Sequence, residues 1–526
     1  MHVLLLSMPD AFEHTPTIGM CMPNGALASL AGNIDAHHTV DIADLVLVPH
    51  DVAGTVERLV RARRPDVIGL SAMTFQRRTA LRLVRRLRAW CPEAVIVAGG
   101  YDPSLATDAW MGPDGVDIVV RGEGEVTFRE LLRILERAGD TPGCRVPGAG
   151  YGGLAAGSEL AALQGITWRG PDGTVVTNAD RPPSAHLDDI LGLPRREARV
   201  LRGYTFLGDA VDVVETSRGC TYDCSFCSII EMRGRNFHAR GFDRVMADLR
   251  DARTRGARVI FLVDDNLTLD VRRFEALCER IIEEGLSDLR YIVQGMTSAF
   301  AAHGDRLAPL MKRAGFEYVF LGIENVLDDD LAFLKASAKN AQREAGRRVG
   351  NATQAAIDVL HAHGLYVVGG LIVGNPDDTA EAIEANLSFA RRHVDWPYIQ
   401  HPTPYPRTPM NETFRERNLI VNDRLEEYDG TTAVVRSAHL QAEEIEFLRW
   451  KAERWMKVRH MPAVLRRRPG FVLRNAPTLL AHTFRGTTWK SMVGLESSRD
   501  TFRRYKAIRQ REREYVSEQF GIQSSE

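Results

Sequence analysis

The sequence predicts an α/β chain in three parts: a doubly wound parallel sheet, then a barrel of parallel strands, then a helical tail. Three observations carry this. Short, near-continuous apolar runs alternate with helix patterns from residue 1 to about 138 and again from about 206 to 391, the reading expected of parallel strands covered on both faces. At 526 residues the chain exceeds what one ordinary core holds. From Gln441 to Tyr515 the strand-like runs stop and arginine-rich helical patterns replace them.

Composition narrows the function class. An apolar share of 44% and a charged share of 26% are those of a globular protein. A net charge of −2 gives no sign of bulk nucleic-acid binding. No run of eighteen apolar residues offers a membrane span. The start, MHVLLLSMPD, has neither a basic region nor a small-residue cleavage site, so it reads as a first strand. Seven cysteines, three of them clustered and Cys21, Cys91, Cys144 and Cys278 scattered singly, suit a reducing cytoplasm better than a disulfide framework.

In order, the first part (1–140) offers strands at His2–Leu6, Thr39–Leu47, Val67–Ser71, Ala94–Ala98 and Ile118–Val120. Its helices are expected near Asn24–Ala31, Val52–Ala62, Arg77–Trp90, Pro103–Trp110 and Glu125–Ala138. Right-handed crossovers make this a doubly wound domain whose ligands sit outside the carboxyl ends of the strands. Two turns there are glycine-rich: VAGGYDP, with Gly99 and Gly100, and VVRGEGEVTF, with Gly122 and Gly124 on either side of Glu123. Paired glycines suit a place where backbone must approach a ligand closely. A GxGxxG fingerprint after the first strand and a Walker loop are both missing.

Residues 141–205 read as a connector, loop-rich and then a β-hairpin turning at Pro171–Gly173. In 206–420 the alternation returns. A strand ending at Val214 leads into SRGCTYDCSFCSII, which hangs Cys220, Cys224 and Cys227 from one loop. Strands Arg258–Val263, Arg290–Val293, Tyr318–Ile323 and Tyr366–Val373 follow. They end in Asp264–Asp265, Gln294, Glu324–Asn325 and Gly374–Asn375, with helices between them, one at Arg306–Ala314. Polar carboxyl tips are where a barrel of parallel strands places its chemistry. Three thiolates so close suit a cubane iron–sulfur cluster, and without a fourth protein ligand one iron stays open. Phe300, Trp396, Tyr398 and Tyr405 are expected near the barrel mouth.

The spacing C-x3-C-x2-C with Phe226 before the last cysteine resembles the signature of radical S-adenosylmethionine enzymes. The domain ahead, with GG-Y-D-P and R-GEGE-x-T-F, resembles the cobalamin-binding domain of that family's cobalamin-dependent branch, and the two likenesses span about 1–420. The resemblance implies a Rossmann-like cobalamin-binding domain, then a partial (β/α)6 radical S-adenosylmethionine barrel. It implies a [4Fe–4S] cluster on Cys220, Cys224 and Cys227 whose open iron chelates S-adenosylmethionine. It implies further that Glu324 accepts hydrogen bonds from the ribose, that Asp264 and Asp265 lie near the methionine amino group, and that Gly370 and Gly374 pass close to the adenine. Gln294 is a further polar candidate at a strand tip. For the aspartates a plain helix-capping role competes. Cobalamin is implied at Ser71, Gly99, Gly100, Gly122 and Glu123.

A D-x-H-x-x-G loop that would ligate cobalt from below is not matched. Asp10 and His14 are too far apart, and Asp35-Ala36-His37 lies before the second strand without the glycine. The reaction implied is methylation of an unreactive carbon, on a lipid such as a hopanoid or on a natural-product precursor. It needs an external one-electron reductant such as flavodoxin or ferredoxin. The alternatives are a cobalamin-linked radical cyclisation, as on a porphyrin, and a non-catalytic corrinoid-binding regulator. The tail, 421–526, is a basic helical region. It either packs on the barrel with its arginines outward or lies in an anionic membrane interface.

Overall fold

The computed structural model describes all residues except 12–18, 140–153, 171, 185–186, 191, 345–346 and 520–526. The strands of the first half are β1 (His2–Ser7), β2 (Met20–Cys21), β3 (Thr39–Asp44), β4 (Val67–Ser71), β5 (Val95–Gly99), β6 (Ile118–Val120), β7 (Ile166–Arg169) and β8 (Val175–Thr177). The first sheet runs β3-β1-β4-β5-β6-β7-β8, parallel as far as β6 and antiparallel thereafter. Its parallel part has the doubly wound order in which the chain reverses direction beside β1, and that reversal opens a crevice at the carboxyl ends. The hairpin β7–β8, expected to belong to a connector, is the edge of this sheet. Ile166 and Trp168 are buried in the first domain's core, which is why a two-strand ribbon is stable there. Its turn residue Pro171 lies outside the described residues.

The second half adds β9 (Thr205–Phe206), β10 (Asp209–Val214), β11 (Ser217–Arg218), β12 (His238–Ala239), β13 (Val259–Leu262), β14 (Arg290–Met296), β15 (Phe316–Glu324), β16 (Ala341–Glu344), β17 (Arg347–Asn351), β18 (Tyr366–Ile372) and β19 (Trp396–Gln400). Six of them, β10-β13-β14-β15-β18-β19, form a parallel half-barrel, and β9 and β2 extend its β10 edge. β19 carries Pro397 and no clean apolar run, which is why the sequence did not display it as a strand. Along each strand, residues pointing out pack beneath the helices, as Val293, Val319 and Val367 do. The alternate set fills the barrel floor with Ile292, Tyr318, Tyr366 and Trp396.

Two expectations about aromatic residues fail here. Phe300 is fully buried between sheet and helix, not at the mouth. Trp396 opens β19, stacks on Phe206 and meets His460 at a tilt at the floor. The helix expected from Arg306 starts at Thr297. Its Gly304 interrupts the apolar pattern, yet a Cβ there would lie 2.5 Å from Val359 Cγ1, so the glycine is what lets the neighbouring helix pack close.

The tail forms α1 (Ala442–Arg467), α2 (Pro469–Thr483), α3 (Trp489–Met492) and α4 (Ser498–Glu518). Part of it is structural. In α1, Arg449 is 2% exposed, pairs with Glu453 at 2.8 Å and donates to the Ile399 and Thr431 carbonyls. In α4, Arg509 is buried against Thr431, Asp429 and Glu446. Just past α4, Gln519 accepts from Val52 N at 2.7 Å and donates to Pro49 O at 2.6 Å, tying the tail to the first domain.

Candidate active site

The cysteine loop begins where β10 ends, and its conformation is set by Asp264, the second residue past the end of β13. The Asp264 carboxylate accepts from Thr216 N at 2.7 Å, Thr216 Oγ1 at 2.6 Å and Ser217 Oγ at 2.5 Å. Burial pushes its pKa up to about 6, while the three donors pull the other way. Asp264 therefore pins the loop, and of the two expected aspartates it is Asp265 that faces open space. Asp265 accepts from Gly219 N at 2.8 Å and lies 3.4 Å from Arg233 Nη1. Gly219 sits at φ +87, and a Cβ on it would fall 2.3 Å from Asn236 Oδ1. Only glycine fits that turn.

Past it, Cys227 N donates to Cys224 O at 3.1 Å, and the loop is stitched to the barrel through Ser225 N–Leu334 O and Met410 N–Ser225 O. All three thiols are free. Burial pushes Cys224 up to about 11 and Cys227 up to about 12. Three free thiols on one loop, none tied into a disulfide, fit a [4Fe–4S] cluster with one open iron. Binding iron would release their protons.

Glu324 closes β15 at φ +59, after a register shift between Gly322 and Glu324. A carboxylate held in the left-handed region is a strained placement, of the kind that collects at binding sites. Its partner is Lys339, 2.5 Å away, which the sequence gave no reason to single out. Burial works against the charge of Lys339, but Glu324 beside it holds the ammonium protonated well above the usual range. The lysine also stands 5.9 Å above the Phe226 ring. Its carbonyl is fixed by Ser298 N and Thr297 Oγ1, so the head of a barrel helix positions it. A Cβ on Gly322 would lie 2.9 Å from Glu324 Oε1, which makes this second glycine part of the same site.

The other barrel candidates separate. Gln294 lies within β14 rather than at its tip, in register with Phe320, and its alternation with Ile292 turns it inward. Gly370 gives room to Phe320, whose Cε1 would be 3.0 Å from an added Cβ. Phe320 meets Tyr398 edge to face. Gly374, at φ +102, is packed against Ile445 of α1 and donates to Asp378.

Ser71, Gly99, Gly100, Gly122 and Glu123 all line one cavity of about 420 Å³ between the two sheets. Its opposite wall is Ser217, Arg218, Arg233 and Asp265, the immediate neighbours of the cysteine loop. Gly100 stands at φ +98 with Ala72 O 3.1 Å from its missing Cβ, and at Gly122 a Cβ would protrude into open space. Such a glycine-walled cradle fits an organic cofactor approached closely by backbone.

The two walls are locked together by charge. Glu125, 7% exposed, accepts from Arg218 Nη2 at 2.5 Å and from Ser29 Oγ at 2.7 Å. Arg218 in turn holds Glu215, which also takes Arg240 at 2.7 Å. Burial opposes ionisation of Glu125, but the Arg218 guanidinium overrides it and lowers the pKa to about 2. This bridge joins segments 93 residues apart, so no local pattern announced it.

The histidine candidates lie elsewhere. His14 is outside the described residues. Asp35 pairs with Arg133 and His37 with Glu136 on the outer face. Asp10 is half-buried and accepts from Thr79 Oγ1 at 3.0 Å.

Comparison with known proteins bears on both halves. The family model for the B12 binding domain matches residues 15–132, and that for the radical SAM superfamily matches 214–390. Over 455 residues the chain is 27% identical to an uncharacterized methyltransferase of Pyrococcus horikoshii, covering 86% of this chain and 91% of that one. It is 26% identical to the anaerobic magnesium-protoporphyrin IX monomethyl ester cyclase of Rubrivivax gelatinosus, covering 77% and 68%. It is 28% identical to the hopanoid C-3 methylase of Methylococcus capsulatus, covering 74% and 67%. Among solved structures, the radical S-adenosylmethionine methyltransferase TsrM of Kitasatospora setae, with cobalamin and a [4Fe–4S] cluster bound, shares the fold. Its TM-score is 0.60 at 19% identity, covering 80% of this chain and 79% of that one.

Proposed function

Because the chain belongs to the cobalamin-dependent radical S-adenosylmethionine enzymes, we propose that it methylates an unactivated carbon of a small, largely apolar substrate. The observation that carries this reading is the shared cavity: the glycine turns of one domain and the flank of the cysteine loop wall the same space. When bound, the cluster supplies the electron that cleaves S-adenosylmethionine and cobalamin supplies the methyl group.

The chain's own part is positioning. Cys220, Cys224 and Cys227 hold the cluster, and Asp264 and Gly219 fix their loop. Glu324, held out by its left-handed backbone, offers a carboxylate to the ribose hydroxyls, and the Lys339 ammonium beside it fixes that carboxylate in place. Asp265 and Arg233 stand where the loop meets the cavity. Ser71, Gly99, Gly100, Gly122 and Glu123 seat the corrinoid, and the Glu125–Arg218 bridge sets the distance between the two walls and keeps water from the seam. An external one-electron donor such as flavodoxin or ferredoxin resets the cluster.

The inward-facing Phe320 and Tyr398 favour an apolar or planar acceptor. A lipid of the hopanoid kind and a natural-product precursor both meet that description. The likeness to the magnesium-protoporphyrin ester cyclase supports a second reading, a radical cyclisation without methyl transfer. Trideuteromethyl S-adenosylmethionine separates them. Reconstituted enzyme given reductant and a host metabolite extract should yield a product carrying the labelled methyl. S-adenosylmethionine cleavage coupled to an unlabelled product would favour cyclisation instead.

A further inference from the structure

The chemistry described above uses none of the surface formed by α2, α3 and the second half of α1. That surface differs in character from the rest of the molecule. Between Glu453 and Glu496 the chain carries no Asp or Glu and nine Lys and Arg, in a protein whose net charge is −2. Some of these cations serve packing. Arg467 reaches Glu317 at 2.5 Å, Arg468 reaches Asp209 at 3.0 Å and Arg485 reaches Glu512 at 2.9 Å. Arg466, Arg474 and Lys490 are exposed.

Large apolar side chains stand among them, equally exposed. Leu473 is 70% exposed, Leu480 56%, Trp489 65% and Leu495 70%. Leu473 and Leu480 are seven residues apart on α2, hence on one helix face. Trp455, Val458 and Leu465 are spaced to share one face of α1 and are exposed too. The segments are physically joined: the Trp455 ring meets Phe484, and Arg454 bonds Thr487 beside α3. Scattered single apolar residues on a surface need no explanation, but a contiguous set with tryptophans at its rim marks a docking site.

We propose that this face docks the enzyme on an anionic lipid bilayer. Charge selects the occupant. A face built on a segment that has nine cations and no acid of its own, and that carries tryptophan and leucine, matches the interface of a membrane rich in anionic headgroups, where the apolar side chains enter the headgroup boundary and the arginines meet phosphate. A protein partner of ordinary composition offers no such uniform negative plane.

The geometry adds an orientation. Arg467 and Arg468 bind Glu317 and Asp209, which open β15 and β10 at the amino ends of the barrel strands. The docking face therefore lies at the barrel floor, on the side away from the cysteine loop and Glu324. The contact anchors the enzyme and leaves the mouth facing the solution. Among the described residues no helix is long and apolar enough to cross a membrane.

Flotation of the cluster- and cobalamin-loaded full chain with vesicles tests this. The probes are pure phosphatidylcholine and an equimolar mixture of phosphatidylcholine with phosphatidylglycerol. Wild type should float with the anionic vesicles, stay behind with the neutral ones, and be released by high salt. Leu473→Glu combined with Leu480→Glu should weaken anionic-vesicle binding by about tenfold or more, with cluster absorbance and 5′-deoxyadenosine release unchanged. Equal flotation of wild type and double variant would overturn the assignment of this face. So would failure of wild type to bind anionic vesicles at low salt. A wild-type dimer in light scattering that the double variant abolishes, without vesicle binding, would assign the face to a second copy and defeat the proposal.

Discussion

Removing the charge of Glu125 is the perturbation whose consequence the structure specifies most fully. The carboxylate is buried between the domains and its pKa falls from an ordinary 4.5 to about 2, against the cost of burial. That difference corresponds to about 3 kcal/mol favouring the ionised, bridged state. Glu125→Gln keeps the shape and the Ser29 contact but leaves Arg218 with Glu215 and, at 3.6 Å, Glu123. Local opening of the seam should become easier by about 3 kcal/mol, roughly a hundredfold faster amide exchange.

Hydrogen exchange read by mass spectrometry over peptides spanning residues 122–131 and 215–220 measures this directly. The wild-type advantage should be fully present above pH 4.5, shrink as pH falls through the interval between 4.5 and about 2, and vanish below it, because a depressed carboxylate pKa stabilises only while the group is ionised. Exchange in the two proteins that is indistinguishable at pH 7, or an advantage that does not change with pH across that interval, would refute the reasoning.

Other outcomes follow from the same structure. Cys224→Ala should abolish the visible absorbance of the cluster and the release of 5′-deoxyadenosine; wild-type values of either would contradict the ligand assignment. Lys339→Met leaves a buried, strained Glu324 without its cation. It should weaken S-adenosylmethionine binding by roughly tenfold or more in equilibrium dialysis, a loss that Lys339→Arg partly restores; unchanged affinity would remove Lys339 from the site. Arg509→Met removes the buried cation that Asp429 and Glu446 share, leaving Asp429 to Arg513 and Glu446 to Lys506. It should lower stability by about 3 kcal/mol in urea unfolding, and a shift under 0.5 kcal/mol would mean that α4 is held by other contacts.

Much of the architecture was legible because it rests on local signals. Parallel strands buried on both faces announced themselves as apolar runs, and β4 and β6 occupy the expected residues. The three cysteines and the acidic residues at strand ends are spaced by chemistry rather than by packing, so they stood out. Asp264 was legible in position but not in use: the sequence cannot say that three donors from Thr216 and Ser217 converge on it.

What depended on distant residues was invisible. Lys339 reaches Glu324 across a loop with no periodic cue, and Arg218 meets Glu125 only because two sheets close on each other. Gly304 disguised half a helix for the same reason, since its partner Val359 lies on another element. Phe300 and Trp396 were misplaced because an aromatic residue near a strand end can face the helices, the floor or the mouth, and strand parity decides which. The tail's basic pattern left both packing and membrane contact open. The structure divides it, with Arg449 and Arg509 inside and Leu473, Leu480 and Trp489 outside.

The claim on which the account turns is that the cavity between the two sheets is the corrinoid seat, facing the cysteine loop. Absorption titration of the anaerobically reconstituted protein with hydroxocobalamin tests it, comparing wild type with Ala26→Trp. Ala26 lines the cavity from an exposed position, so the indole fills the space at little cost to the fold. The prediction is one cobalamin per wild-type chain and none detectable in the variant, with cluster absorbance equal in both. Equal cobalamin binding by wild type and Ala26→Trp, or a wild-type protein that carries its cluster and takes up no cobalamin, would contradict it.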